Sequence, residues 1–449
     1  MSQRSVVILG GGLAGMAAAY TLLDAGFEDV AIVERDEVLG GLAGAFERDG
    51  HEYPLAYHHI LHQDRPLHFF LDRIGVLDRV RWTRIPMLFE QGSELYDFTN
   101  PIDFLRFPMS PLDKARFVRL MLRCFLKQDW EGWHERSAAE LVDSWGGPGV
   151  RHALFESLCR IKFDLSCAET SGAWLGARLN AREGSAPLGY VPGTNWTSLL
   201  CTGLARLLEE RGARLRLRTS VSRLRAEGER VVAVELEGGE TLPADDVIST
   251  VPVEKYLPML PEERTPGLPS VRYTAIVSVI MATRQQLERD FYWMNLTSLE
   301  HNANGIFRLE RLNPTIGVPG DSYLNFITHL PSRAHDFFRH TDEELIAGYL
   351  EDFRDIFGFA LEPHWTRISR IPLYSPVLAR GYQNPPVRST SWPNVFFAGN
   401  YRTFPSVVST GTALASGVEA ADAILEDAGV PTQMLGDARQ FRLPSMPRA

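Results

Sequence analysis

Gly10-x-Gly12-x-x-Gly15, followed by Glu34 and then Gly40-Gly41, is the group of residues near the start of this chain whose types and spacing can do recognisable chemistry. Glycines so placed let the backbone approach a pyrophosphate, whose charge is met by the amides and dipole of a helix N-terminus. A carboxylate about twenty residues further on can accept both hydroxyl protons of a ribose. Near the other end, Asn394 to Tyr401 reads Asn-Val-Phe-Phe-Ala-Gly-Asn-Tyr, and Ser409-Thr410-Gly411 opens an Ala-rich stretch. The first set reads as an ADP cradle formed by Gly10, Gly12, Leu13, Ala14, Gly15, Glu34 and Arg35, with Gly40, Gly41, Leu42 and Ala43 supplying a second close approach. The second set, Gly399, Asn400, Ser409, Thr410 and Gly411, reads as a clamp on the far end of the same molecule. That far end is best read as a flavin, because an amide-rich helix start suits the negative charge of a reduced flavin at its N1/O2 edge.

Two further places carry candidate chemistry. In Tyr57-His58-His59-Ile60-Leu61-His62, an imidazole of His58 or His59 can bond a flavin edge or relay a proton. The alternative is a partly exposed strand whose histidines bond backbone groups. Lys162, in Arg160-Ile161-Lys162-Phe163, is a lysine in an apolar context. It reads either as a neutralised lysine holding a water beside the flavin or as one half of a salt bridge.

The elements that must position these residues follow from local pattern. Val6 to Leu9 is a buried parallel strand, Gly10 to Gly15 the turn, Met16 to Asp24 a helix, and Val30 to Val33 a second strand ending on Glu34. Gly189 to Gly193, a helix over Leu199 to Gly212, strands at Arg214 to Arg218 and Val231 to Leu236, and a buried strand in Asp245 to Pro252 bring the chain back to that unit. Val395 to Ala398 is its last strand and Thr410 to Leu425 its last helix. Ser110-Pro111-Leu112-Asp113 and the Ser137 to Glu140 capping box start helices, so roughly 103–182 is a helical insertion. The helix after Ser110 puts Arg116, Arg119, Arg123 and Lys127 on one face and Phe117, Leu120, Met121, Cys124 and Phe125 over much of the rest. Preceded by Phe104 to Phe107, this 104–127 segment either lies on an anionic membrane surface or packs its apolar side on the protein. From Tyr273 to Thr283 a β-rich run begins a second unit, with strands at Gly305 to Glu310 and Tyr323 to Thr328 and a helix from Asp342 to Phe357. Phe291, Tyr292, Trp293, Phe307, Tyr323 and Phe326 either line an apolar tunnel there or fill its core.

Composition narrows the class. At 449 residues the chain is too long for one core. A net charge of −10 argues against a nucleic-acid partner. The four cysteines show no metal-ligand spacing and read as buried thiols in a reducing compartment, so no metal site is expected. The uncharged run Ser5 to Leu23 is interrupted by glycines and is not a spanning helix, which leaves a cytoplasmic protein, in contact with a membrane at most from outside.

Together these pieces resemble the flavin-dependent amine oxidase superfamily, which includes protoporphyrinogen oxidases, phytoene-type desaturases and hydroxysqualene dehydroxylases. The resemblance runs from Val6 to about Leu425 and implies an α/β fold: a doubly wound, Rossmann-type FAD-binding domain interleaved with an α+β substrate domain carrying a helical cap. It assigns 1–75, 189–255 and 388–428 to the FAD-binding domain, 76–188 and 256–387 to the substrate domain with its cap at about 103–182, and 429–449 to a tail. It further implies that Val221 places its backbone against the adenine and Thr410 its amide against the flavin. Leu42 stands where many amine oxidases carry Arg, and Asn400 where many relatives carry Asp or Glu. Without a recognisable aromatic pair to cage an amine or a flavin-attaching His or Cys, the expectation is noncovalent FAD and hydride transfer between N5 and a C–H bond of an apolar or ring-containing small molecule. The Tyr57 to His62 stretch also looks like that of UDP-galactopyranose mutases, so a redox-neutral flavoenzyme is the enzymatic alternative, and a flavin-binding escort protein the nonenzymatic one.

Overall fold

The computed structural model describes residues 2–92, 94–127, 129–181, 187–260 and 268–431. The tail assigned to 429–449 therefore falls largely outside the described residues, as does Arg182 at the end of the expected cap.

A five-stranded parallel sheet is assembled from three separate stretches of chain, in the order Arg214–Arg216, Phe27–Val33, Ser2–Leu9, Asp246–Ser249 and Val395–Phe397. Alternation along the first strand sends Val6 and Ile8 to one face and Val7 and Leu9 to the other. The first face is covered by helices Leu13–Asp24, Arg65–Arg73, Trp196–Glu210 and Thr410–Asp427. The second is covered by an antiparallel meander of Val221–Glu227, Arg230–Leu236 and Thr241–Pro243, through Leu224, Val231 and Val234. Burial on both faces explains why these strands read as continuous apolar runs.

A seven-stranded mixed sheet forms the second layer, in the order Trp365–Pro376, Tyr273–Thr283, Ser322–Leu330, Gly305–Arg308, Trp293–Asn295, Met87–Gln91 and Glu94–Asp97. Helix Asp342–Phe357, started by the Thr341/Glu344 capping box, covers one face through Leu345, Tyr349 and Phe353. The strand expected from Gly305 to Glu310 stops at Arg308 and turns into a short helix, Leu309–Leu312. Of the aromatic residues at issue, Phe291 and Phe326 pack toward the Asp342–Phe357 helix, whereas Tyr292, Trp293, Phe307 and Tyr323 belong to the opposite face. That face meets Tyr53, Ala56, Tyr57 and Leu61.

Helices Pro101–Arg106, Pro111–Leu126, Ala138–Trp145, Glu156–Phe163 and Gly172–Asn180 build the cap around their own core, which includes Leu120, Trp130, Leu141, Phe163 and Trp174. Ser110 caps its helix through the Asp113 amide, and Ser137 and Glu140 form the expected capping box. Of the apolar set read on the Pro111–Leu126 helix, Leu120 and Cys124 are buried and Phe117 packs on the cap core. All four cysteines are buried free thiols. Cys159 and Cys167 lie with their sulfurs 3.4 Å apart.

Candidate functional site

The glycine turn is built against the first acid. Glu34 is buried, its Oε2 accepting from the Gly11 amide at 2.7 Å and its Oε1 from the Asp36 amide at 2.9 Å. Two bonds leave lone pairs on both carboxylate oxygens. No side chain caps helix Leu13–Asp24, whose N-cap is Gly12, so its first amides lack the usual side-chain partner. A Cβ on Gly15 would overlap the Gly10 carbonyl oxygen, which explains that glycine without recourse to a ligand. Around Gly12, in contrast, there is open space for an added Cβ. Gly12 pairs with Gly40 in a parallel bridge, and the Gly40 amide donates to Gly11 oxygen at 2.9 Å. Gly41, at φ +55°, would set a Cβ 3.2 Å from the Gly12 Cα. The two glycine motifs are thus one backbone surface, with Leu42 half-buried and Ala43 buried beside it. Arg35 is exposed and lies 3.8 Å from Asp36. The Thr219 amide donates to Glu34 oxygen, which brings Val221 to the same edge.

The C-terminal set converges on this surface. Thr250 Oγ1 donates to the carbonyls of Leu9 and Gly10, and the Thr250 carbonyl lies 3.3 Å from where a Gly399 Cβ would stand. Gly399 is itself held by Ser416 Oγ at 2.9 Å. Helix Thr410–Asp427 crosses helix Leu13–Asp24 so closely that a Cβ on Gly417 would overlap the Ala14 carbonyl oxygen. Asn400 Nδ2 donates to the Tyr374 carbonyl at 2.8 Å, so the Asn400 amide oxygen carries the remaining acceptor capacity. Ser409 caps its helix through the Thr412 amide, and Thr410 is half-buried at its first turn.

Asp64 was not singled out from sequence. It caps helix Arg65–Arg73, and its carboxyl also takes the Gly411 amide and the Ser409 hydroxyl, so it stands against the start of the last helix. Burial pushes its pKa up to about 6 despite those bonds. The sequence signal available, Asp before Arg-Pro, is the one for an N-cap.

The histidine stretch separates. Only Ile60–Leu61 is strand. His58 Nδ1 bonds the Ala56 carbonyl at 2.8 Å, and burial lowers its pKa. His59 Nδ1 bonds the Tyr292 hydroxyl at 3.2 Å, and its ring lies 6.1 Å from Trp293. His62 is exposed beside Trp82. His58 therefore follows the backbone-bonding reading, and His59 faces the aromatic layer.

Lys162 lies elsewhere, with its Nζ 3.0 Å from His329 Nε2 and 5.3 Å from the centre of the Tyr374 ring. Because Tyr374 also receives Asn400, this pair lies one residue away from the C-terminal set. His329, on strand Ser322–Leu330, is a second residue sequence reasoning missed. Burial first, then Lys162 and Arg178, hold its pKa well below the usual imidazole range. A charged Lys162 would donate to His329 Nε2, which calls for the tautomer with the proton on Nδ1. That Nδ1 is buried without a hydrogen-bond partner. The signal that could have found it is the alternation Tyr323, Asn325, Ile327, His329 on one strand face. Among the described residues no group of His, Cys, Asp and Glu is arranged to hold a metal, and no helix is long and apolar enough to cross a membrane.

A model of the flavin-containing amine oxidoreductases matches residues 13–425, and the chain belongs to that family. It is 25% identical over 285 residues to a 15-cis-phytoene desaturase of Capsicum annuum, a match covering 58% of this chain and 48% of that protein. The chain thus spans about half the length of such desaturases. It is 23% identical over 443 residues to the hydroxysqualene dehydroxylase of Zymomonas mobilis, covering 93% and 98% of the two chains. Among solved structures, a candidate protoporphyrinogen oxidase from Exiguobacterium sp. 255-15 shares the fold with TM-score 0.75 at 20% identity, over 95% of this chain and all of that one.

Proposed function

We propose that this protein is an FAD-dependent oxidoreductase, of desaturase or dehydrogenase type, acting on a C–H bond of an apolar or ring-containing small molecule. In this reading 1–75, 189–255 and 388–428 form the FAD-binding unit, and 76–188 with 256–387 the substrate unit. The observation that carries it is the meeting of the Gly10 turn, Thr250, Gly399 and the Gly417 crossing at one place, within a chain of flavin-family sequence. FAD held there without a covalent link would supply a hydride acceptor, for reoxidation by oxygen, a quinone or another acceptor.

The chain's own residues bind, orient and exclude water. Glu34 holds the ribose hydroxyls with its spare lone pairs, and the backbone at Gly10, Gly12, Leu13, Ala14, Gly15, Gly40, Gly41, Leu42 and Ala43 receives the pyrophosphate. Arg35 and Val221 flank the adenosine end, while Gly399, Asn400, Ser409, Thr410 and Gly411 take the flavin end. Tyr57, Tyr292, Trp293 and Phe307 give the substrate an apolar wall, with Tyr57 and Phe307 stacked at 3.5 Å. His59, and Lys162 through His329, are the groups proposed to steady a substrate oxygen or a departing proton, with His58, bonded to the Ala56 carbonyl, the third candidate. The setting is cytoplasmic, with a membrane as a contact through 104–127.

The test is to purify the full chain, release and identify its flavin, and then offer phytoene, protoporphyrinogen and hydroxysqualene anaerobically while watching the flavin bleach. Bleaching by one of them supports the reading, and protein that neither carries nor takes up FAD sinks it. UDP-galactopyranose turnover seen only after dithionite would make it a redox-neutral mutase. Bound FAD that cycles with no donor or acceptor would make it an escort protein.

A further inference from the structure

Asp64 stands at a junction that its own helix does not require. It caps helix Arg65–Arg73 through the Leu67 amide, and at 3.4 Å that bond is a long one. The same carboxyl reaches across to the start of helix Thr410–Asp427, where it takes the Gly411 amide and the Ser409 hydroxyl. A Cβ added at Gly411 would fall 1.5 Å from Asp64 Oδ1, so only glycine at that position admits the carboxyl. Gly411 is an ordinary helical residue without a positive φ, and its backbone conformation alone asks for no glycine. Two helices therefore begin on one carboxyl group, and the second leaves room for it.

Charge gives this contact a consequence. The first amides of a helix carry roughly half a positive charge. Ser409 Oγ already takes the Thr412 amide, so an ionised Asp64 brings a full negative charge to an end that supplies only part of a positive one. Burial, offset by the bonds from Leu67, Gly411 and Ser409, raises its pKa to about 6, which leaves it ionised at neutral pH. The charged groups on the two helices have other settings. Arg65 is its chain neighbour, His68 Nε2 bonds the Leu61 carbonyl at 3.1 Å, and Arg73 lies over the Phe69 ring. Glu419 pairs with Arg402 and Asp427 with Arg388, Asp422 lies about three turns beyond Gly411, and Asp72 and Glu426 are exposed. His62, two residues before Asp64, lies against Trp82.

We propose that Asp64 sets the reduction potential of the bound flavin: seated against Gly411 and Ser409, its carboxylate cancels the positive helix end that would otherwise favour negative charge on the reduced ring. This rests on the reading above, in which Ser409, Thr410 and Gly411 take the flavin end. Asp64 is a positioning residue, acting through the helix start by its charge and exchanging protons only with solvent. A potential held low in this way disfavours reduction of the flavin by substrate and favours the passage of its electrons to oxygen or a quinone.

Asp64→Asn keeps a side chain that caps helix Arg65–Arg73 and removes the charge. Anaerobic reduction of the FAD-loaded full chain by dithionite, beside a dye of known potential, delivers two electrons to the flavin with protons from solvent and needs no substrate. At pH 8 the variant should hold on the order of tenfold more reduced flavin than the wild type at a given potential, a shift of about 30 mV for a two-electron couple. At pH 5, below the value of about 6 at which the wild-type carboxyl takes its proton, the two should agree. A shift of the same size at both pH values marks a structural effect of the substitution. That result, or equal potentials at pH 8, overturns the assignment and leaves the proposed function standing. Protein that binds no FAD refutes the proposed function and this inference with it. Should Asp64→Asn lose its flavin, Asp64→Ser repeats the measurement with another neutral cap. Loss of FAD from both variants would make Asp64 a residue that holds the cofactor, not one that tunes it, and overturns the assignment as well.

Discussion

Glu34 holds the glycine turn and the proposed ribose site with the same two oxygens, so its removal tests both roles at once. Glu34→Ala leaves the Gly11 and Asp36 amides without their acceptor. Charge-assisted bonds of this kind are worth roughly 1.5–3 kcal/mol each, so FAD affinity should fall by at least about tenfold. Flavin retained through gel filtration is the measure, and undiminished retention would deny Glu34 the role. The Lys162–His329 pair makes a different claim. His329→Phe keeps an aromatic ring beside Tyr374 and removes both nitrogens, while Lys162→Met keeps a chain of similar length. Each should lower kcat/KM on the order of tenfold with flavin content intact, and the double variant should cost little more than the worse single one. Kinetics untouched by either would make the pair a packing feature.

Helix Thr410–Asp427 carries two consequences of its close packing. Gly417 lies against the Ala14 carbonyl, so Gly417→Val forces the two helices apart. The cost should be roughly 1–3 kcal/mol, as for other overpacked cores, with a lower melting temperature and loss of flavin together. On the same helix Asp422 is buried, its Oδ1 has no hydrogen-bond partner, and burial followed by Glu426 and Glu419 lifts its pKa to about 7. An acid whose pKa is higher in the folded than in the unfolded chain contributes stability that is present below about pH 4 and lost as pH rises through about 7. Asp422→Asn should therefore raise stability at pH 8 by an amount on the order of 1 kcal/mol, and the melting temperature with it, and change little at pH 4. Equal melting of both proteins at pH 8 would show that Asp422 is not the group responsible.

For the molecule as a whole, the parallel sheet is closed by strands from 2–33, 214–249 and 395–397, so no fragment shorter than 2–397 contains it. A chain ending at 188 carries the glycine turn and Glu34 but neither the Asp246–Ser249 nor the Val395–Phe397 strand. It should take up no FAD and should fail to melt cooperatively, as calorimetry of that fragment would reveal. In the intact chain, free FAD at about a hundred times its dissociation constant should add about 2.7 kcal/mol to stability, because only the folded form binds it. A melting temperature indifferent to FAD would contradict the proposed site.

Local pattern carried much of the fold. The Gly10 turn between a buried strand and a helix, the Ser110 and Ser137 caps and the helix at Asp342–Phe357 are written in neighbouring residues, because each depends on backbone freedom, a missing amide or a 3.6-residue period. The Glu34 position was equally legible, since its distance along the chain from the glycines fixes its distance across the sheet. What the sequence could not decide were contacts between residues far apart in it. Lys162 meets His329 across 167 positions, and Asp64 meets the start of a helix at Gly411. On the Pro111–Leu126 helix the sequence marked Phe117, Leu120, Met121, Cys124 and Phe125, and only packing buried Leu120 and Cys124 while leaving Leu112, Val118, Leu122 and Leu126 exposed. Periodicity tells a helix which of its residues share a face, but only the neighbours that fold against it determine which face is left to water.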